Sequence, residues 1–175
     1  MSETLSEAIP AHVDALAEDV LDRACDRGLK LVTAESCTGG LLASLLTDMD
    51  GSAHAFERGF VVYTNEAKHE LLGVPLNMLE DPGPVSEAVA RAMAEGALAN
   101  SHGDLAISVT GFAGAGAPGD PAGLVHFGLA GRAMDTRHRV RRFGDVGRGE
   151  VRVKSLQVAL EMLSEAIEGE GSQVN

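Results

Sequence analysis

A three-layer α/β/α fold with a mixed sheet in a single domain is what this sequence predicts, and three observations carry it. Strand-like runs alternate with helical ones as far as about residue 109. Two more strand-like runs, separated only by residues 131–135, then follow with no helix between them. The chain has 175 residues, enough to bury one core without disulfide or metal staples. Alternation implies parallel strands linked by helices, and the late hairpin adds antiparallel ones.

Residues 4–27 place Leu5, Ile9, Val13, Leu16, Val20 and Ala24 near helical spacing, an amphipathic helix that Gly28 stops. Residues 29–34 read as a short buried strand, 35–40 as a turn, and 41–49 as an apolar helix broken at Asp50-Gly51-Ser52. Residues 59–63 are dense in β-branched and aromatic side chains, which predicts a second strand. Asn65 is placed to cap a helix running through Lys68 to Leu72, ended by Gly73 and Pro75. A loop at 81–84 leads to a helix from Ser86 to about Asn100, and 105–109 form a third strand. After a loop at 110–123, strands 124–130 and 136–143 pair as a hairpin. A last helix covers about 150–167, so the domain spans 1–168 and 169–175 read as a disordered tail. In such a fold the loops that leave the strands at one sheet edge collect the site residues.

Composition narrows the function classes. A formal charge of −12 disfavours nonspecific nucleic-acid binding, which needs Lys and Arg in excess. No apolar run approaches the ~18 residues of a membrane span. The acidic N-terminus lacks the basic and apolar regions of a signal peptide, so a cytoplasmic location is expected. Two cysteines do not make a zinc site or a disulfide framework; Cys25 is expected in the core and Cys37 as a small buried residue. The six histidines are scattered without ligand spacing, so no metal is expected. A basic stripe occupies 132–152, within which Arg137, Arg139 and Arg141 alternate like the solvent face of a strand.

Three segments can carry chemistry. In Glu35-Ser36-Cys37-Thr38-Gly39-Gly40 a strand gives way to hydroxyls, glycines and a helix N-terminus, either an anion site or a pair of simple caps. In the stretch from Ser52 to Lys68, a lysine whose amine is desolvated can take a serine's proton, and Tyr63 can relay one. The plain alternative is a surface lysine, a turn-capping serine and a tyrosine at the core rim. Third, Gly114-x-Gly116-x-x-Gly119 matches a dinucleotide fingerprint, but Pro118 and Asp120-Pro121 prevent the helix that motif requires. The segment is therefore a ligand-approach loop and no dinucleotide cofactor is expected.

At Ala34-Glu35-Ser36-Cys37-Thr38-Gly39-Gly40 the chain resembles the C-terminal domain of the competence-damage inducible protein CinA, the nicotinamide mononucleotide deamidase family. Gly51-Ser52, Phe56 to Gly59, Tyr63-Thr64-Asn65-Glu66-Ala67-Lys68, Val85-Ser86-Glu87 and Thr110-Gly111-Phe112-Ala113-Gly114 continue the likeness in order, over roughly residues 8–167. The resemblance implies cofactor-free hydrolysis of nicotinamide mononucleotide to nicotinate mononucleotide and ammonia. It implies Ser52, Tyr63 and Lys68 as the catalytic group, with Ser36 the rival nucleophile. Substrate contacts are implied at Glu35, Thr38, Gly39, Gly40, Thr110, Gly111, Ala113, Gly114 and Arg148. The chain departs from the family pattern at Ala53, Ala115 and the shifted spacing between Gly144-Asp145 and Arg148. A nucleotide-binding protein without turnover and an amidase for another small amide are the alternative readings. A homodimer is expected, as small compact enzymes often pair.

Overall fold

The computed structural model describes residues 9–49 and 51–170. In chain order they form α1 (Ala11–Asp26), β1 (Leu31–Glu35), α2 (Leu41–Thr47), a 3-10 turn (Ser52–His54), β2 (Phe56–Val61), α3 (Asn65–Leu72), α4 (Leu76–Glu80), α5 (Glu87–Ala99), β3 (Leu105–Gly111), β4 (Leu124–Gly131), β5 (Met134–Arg142) and α6 (Arg148–Glu170). The five strands make one mixed sheet in the order β2-β1-β3-β4-β5. β2, β1 and β3 run parallel; β4 and β5 continue the sheet as the antiparallel hairpin expected from the sequence.

Helices cover both faces because β1 is buried throughout, and β3 as far as Thr110, and both offer apolar side chains to each side. On one face Leu31, Ile107 and Phe127 pack with α1, α2 and α6 through Val20, Leu45 and Leu160. On the other, Val32, Ala34 and Ala106 meet α3, α4 and α5 through Leu72, Leu79 and Met93. The alternating arginines of β5 do share one face, and α6 crosses it: Arg139 reaches Glu165 at 2.7 Å.

Boundaries moved where local chemistry overrode periodicity. Helix α1 begins only after Pro10, which disfavours helical geometry for the residue before it; residues 4–8 lie outside the described residues. Thr64, and not Asn65, caps α3, its side chain accepting the Ala67 amide at 3.1 Å. Ser86 caps α5 as expected. The short helix α4 follows Pro75 where a simple break was expected. The last helix reaches Glu170, so part of the expected tail is helical, and 171–175 lie outside the described residues. Cys25 is exposed, not core, because the inner stripe of α1 is Val13, Ala17, Val20, Leu21 and Ala24.

Two glycines set how closely α5 packs. A Cβ on Gly96 would lie 1.9 Å from the Leu72 carbonyl oxygen, and one on Gly128 would lie 2.2 Å from that of Ala90. Gly96→Ala is therefore expected to lower unfolding stability by about 1–3 kcal/mol through overpacking. Gly149 in α6 has open space around it. Gly149→Ala is expected to be neutral or stabilising by up to about 1 kcal/mol, and urea midpoints of the two variants check the contrast.

Candidate functional site

The C-terminal edge of the parallel strands gathers most of the residues singled out above. There β1 ends in Glu35, whose side chain is fully buried. Its two carboxylate oxygens accept the Leu42 amide at 3.0 Å and the Ala43 amide at 2.8 Å, both in the first turn of α2. A helix N-terminus carries unpaired amides and partial positive charge, so this end of α2 is capped by the protein's own carboxylate. Glu35 thereby serves as an internal cap, each of its oxygens engaged by one amide.

Between that strand end and that helix, Ser36 to Gly40 are forced into a tight turn. Gly39 and Gly40 hold φ of 62° and 91°, a region open to glycine, and the Gly39 amide donates to the Ser36 carbonyl at 3.1 Å. The Ser36 amide donates to Val109 at 3.0 Å, tying the turn to β3. Ser36, Cys37 and Thr38 are all buried. Burial, the largest effect, pushes the Cys37 thiol up to about 12, so it stays protonated and is no nucleophile. The Thr38 hydroxyl is buried and unpartnered.

Lys68 comes to this turn from the neighbouring strand. The Val62 amide donates to the Glu35 carbonyl at 2.8 Å, so the chain leaving β2 passes beside Ser36 before α3 begins. Lys68 is only 2% exposed, and its Nζ donates to the Tyr63 carbonyl at 2.9 Å. Burial moves the ammonium below its ordinary value, and only the nearby Cys37 thiol pulls it the other way. Lys68 is near enough to Cys37 to act on its thiol, which brings the desolvated amine to the turn that carries Ser36, and desolvation is what lets a lysine act as a base.

From the opposite side, α6 brings two arginines one helical turn apart. Arg152 donates to the Thr38 carbonyl at 2.8 Å and leaves its Nε buried and unpartnered. Arg148 lies over Gly114, where a Cβ would come 3.5 Å from its guanidinium. The loop carrying Gly111, Ala113 and Gly114 thus lies between β3 and α6, with Ala113 buried. Thr110, at the end of β3, donates its hydroxyl to the Pro84 carbonyl at 2.7 Å.

Ser52 stands apart from Lys68, and Tyr63 meets Lys68 only through its backbone. The turn that begins at Ser52 precedes β2, and β2 starts opposite the first residue of β1. Its backbone therefore lies at the N-terminal edge of the sheet, while Ser36 and Lys68 lie at the C-terminal edge. Six residues of β2 at about 3.3 Å each separate them within one chain. Tyr63 is 67% exposed, and its contact with Lys68 is through the backbone.

Sequence reasoning missed Arg152, which looked like one more charge in a basic stripe. It also missed a histidine pair: His126 Nδ1 and His138 Nε2 are 3.0 Å apart, and His138 Nδ1 lies 3.4 Å from Glu87. Hairpin register and α5 bring these three together, and no sequence spacing announces that. Among the described residues no group of three or more His, Cys, Asp or Glu is arranged to hold a metal ion.

A family model described as the CinA C-terminal domain matches residues 13–167. A CinA-like protein of Synechococcus sp. is 46% identical over 156 residues, 87% of this chain and 37% of that protein. The nicotinamide-nucleotide amidohydrolase PncC of Enterobacter agglomerans is 45% identical over 139 residues, 77% of this chain and 85% of that protein. The crystal structure of competence/damage inducible protein CihA from Agrobacterium tumefaciens matches with a TM-score of 0.88 at 42% identity, covering 96% of this chain and 99% of that one. The chain spans 26–43% of the length of the first curated relatives it matches.

Burying the Lys68 ammonium costs stability, which gives a pH-dependent expectation. Between its lowered folded value and the ordinary 10.5, the unfolded chain holds more protons, so wild-type stability from this group rises with pH across that window. Lys68→Met removes the buried charge. Its Tm is expected to exceed wild type by about 2 °C or more near pH 7, and the gap to shrink near pH 10; thermal melts at the two pH values check both signs.

Proposed function

The chain belongs to the CinA C-terminal domain family, and from that premise we propose that it hydrolyses the carboxamide of nicotinamide mononucleotide to nicotinate mononucleotide and ammonia. The observation that carries the reading is the buried Lys68 amine, moved toward neutrality by desolvation, beside the Ser36 turn. Its support among relatives is the amidohydrolase PncC, similar over most of this chain.

In the proposed mechanism Lys68, uncharged, takes the Ser36 hydroxyl proton. The Ser36 Oγ attacks the carboxamide carbon, and the tetrahedral oxyanion is held by backbone N–H groups of the glycine-bearing loops. The C–N bond then breaks, the lysine's proton passes to the departing nitrogen, and ammonia leaves. Water adds to the resulting ester with Lys68 again as base, releasing the carboxylate and restoring the serine. The ribose phosphate rests on the 110–114 loop, with Arg148 behind Gly114. Thr38 to Gly40 line the floor, and Arg152 fixes that floor through the Thr38 carbonyl. Ser36 replaces Ser52 as the preferred nucleophile because Ser36 shares the sheet edge of Lys68 and Ser52 does not.

Ammonia release from nicotinamide mononucleotide by the purified protein tests the reading. Ser36→Ala and Lys68→Ala are each expected to lower kcat by about 10³-fold or more, the scale for losing a nucleophile or its base. Ser52→Ala and Tyr63→Phe are expected to stay within about threefold of wild type. For the wild type, kcat/KM is expected to rise with pH to a plateau reached below 10.5, as Lys68 loses its proton. Loss of turnover in Ser52→Ala with retention in Ser36→Ala would reverse the assignment, and no ammonia from a folded wild type would end it.

A further inference from the structure

The group Glu87, His138, His126 is not used by the mechanism above, and its one hydrogen bond and one ion-pair contact bias where a proton goes. His126 on β4 and His138 on β5 stack with ring centroids 5.2 Å apart and planes 26° from parallel. Glu87, the first residue of α5, also holds Arg91 at 2.8 Å. The Glu87 carboxylate lies 3.4 Å from His138 Nδ1 in an ion-pair contact, and its negative charge favours placing the proton of neutral His138 on that nitrogen. His138 Nε2 is then an acceptor, and His126 must place its own proton on Nδ1 to reach it. Three of the four ring nitrogens are thereby committed. One nitrogen, His126 Nε2, remains as the open end of the chain, and an added proton goes there.

His126 stands beside the candidate site. It is the register partner of Thr110, and facing residues on neighbouring strands have Cβ atoms about 5 Å apart on one side of the sheet. Ser36 lies at the same level one strand further, since its amide bonds Val109. Two interstrand spacings, about 10 Å, separate His126 from the nucleophile. That is too far to touch the scissile carbon and suits the other end of a mononucleotide.

We infer that His126, oriented by His138 and Glu87, is a specificity-determining residue that donates from Nε2 to the phosphomonoester of the substrate, so that substrate binding takes up a proton. The assignment rests on the deamidase reading for the substrate's name, and on the His126–His138 hydrogen bond beside the Glu87 carboxylate for its chemistry. Burial, with the His138 and Arg142 charges, holds His126 below its ordinary value, and only Glu87 opposes them. His138 is lowered by burial foremost and by Arg91, again against Glu87. The charged neighbours are thus Glu87 and Arg91 from α5 and Arg142 from β5; β3 presents the hydroxyls of Ser108 and Thr110. The empty pair stays neutral near pH 7. An arriving dianion offsets the unfavourable charges and the proton follows it.

The test is an NMR pH titration of the imidazole resonances in the whole protein, assigned with His126→Gln, with and without saturating nicotinamide mononucleotide. The apparent pKa of the pair is expected to rise by about one unit on binding, and reciprocity requires Kd to tighten about tenfold as pH falls through that range. His126→Gln and His138→Gln are each expected to lose this tightening and so to bind the mononucleotide about tenfold more weakly than wild type at the acidic end; two variants guard against one failing to fold. The riboside lacking the phosphate is expected to leave the pair unmoved. Inorganic phosphate, titrated in parallel, separates the two readings. A shift with phosphate in a protein that releases no ammonia keeps this anion contact and discards the deamidase. Turnover of the mononucleotide with no shift, or an equal shift with the riboside, overturns the contact and leaves the deamidase standing.

Discussion

The bonds from the Leu42 and Ala43 amides to the Glu35 carboxylate, at 3.0 and 2.8 Å, fix the geometry on which the candidate site depends. They join the last residue of a central strand to the first turn of the helix that follows, leaving five residues, Ser36 to Gly40, to make the connection. Hydrogen bonds to an ionised group contribute about 1.5–3 kcal/mol each, and the helix dipole adds to them. Those terms offset the cost of taking a carboxylate out of water. The turn cannot relax without giving them up, and the bond from the Ser36 amide to Val109 adds a second tie.

Around that turn the charges are arranged in opposition. Glu35 below it is negative; Lys68 from α3 and Arg152 from α6 approach from the two faces of the sheet. All three charges act on the Cys37 thiol, whose position makes it a probe of the local field. Arg152 is tied to the Thr38 carbonyl. Lys68 has a carbonyl as its partner and, among the described residues, no carboxylate, so desolvation governs it. One cation is thereby structural and the other is poised to titrate.

The architecture was largely legible because it follows from period and punctuation. Alternating strands and helices, the 131–135 connection and the caps at Ser86 and Gly73 all lie close together in sequence. The misplaced boundaries came from single residues whose local chemistry outweighs periodicity: Pro10 before α1 and Thr64 before α3. The site was half legible. Ser36, Thr38 and Lys68 lie in recognisable blocks, but a block does not reveal which edge of the sheet its residues reach. Ser52 and Lys68 are near in sequence with a whole strand between them, whereas Ser36 and Lys68 are distant in sequence and gathered at one edge. Arg152 and the His126–His138 pair were illegible for the same reason, since a long helix and hairpin register place them.

The most direct measurement is mass spectrometry of the protein quenched during turnover of nicotinamide mononucleotide, followed by peptide mapping of any serine ester. The substrate's acyl group is expected on the peptide containing Ser36, and is expected to disappear in Ser36→Ala. An ester on the peptide containing Ser52, with Ser36 unmodified, would contradict it, because the buried Lys68 would then lie at the wrong edge of the sheet to have served as that serine's base within one chain.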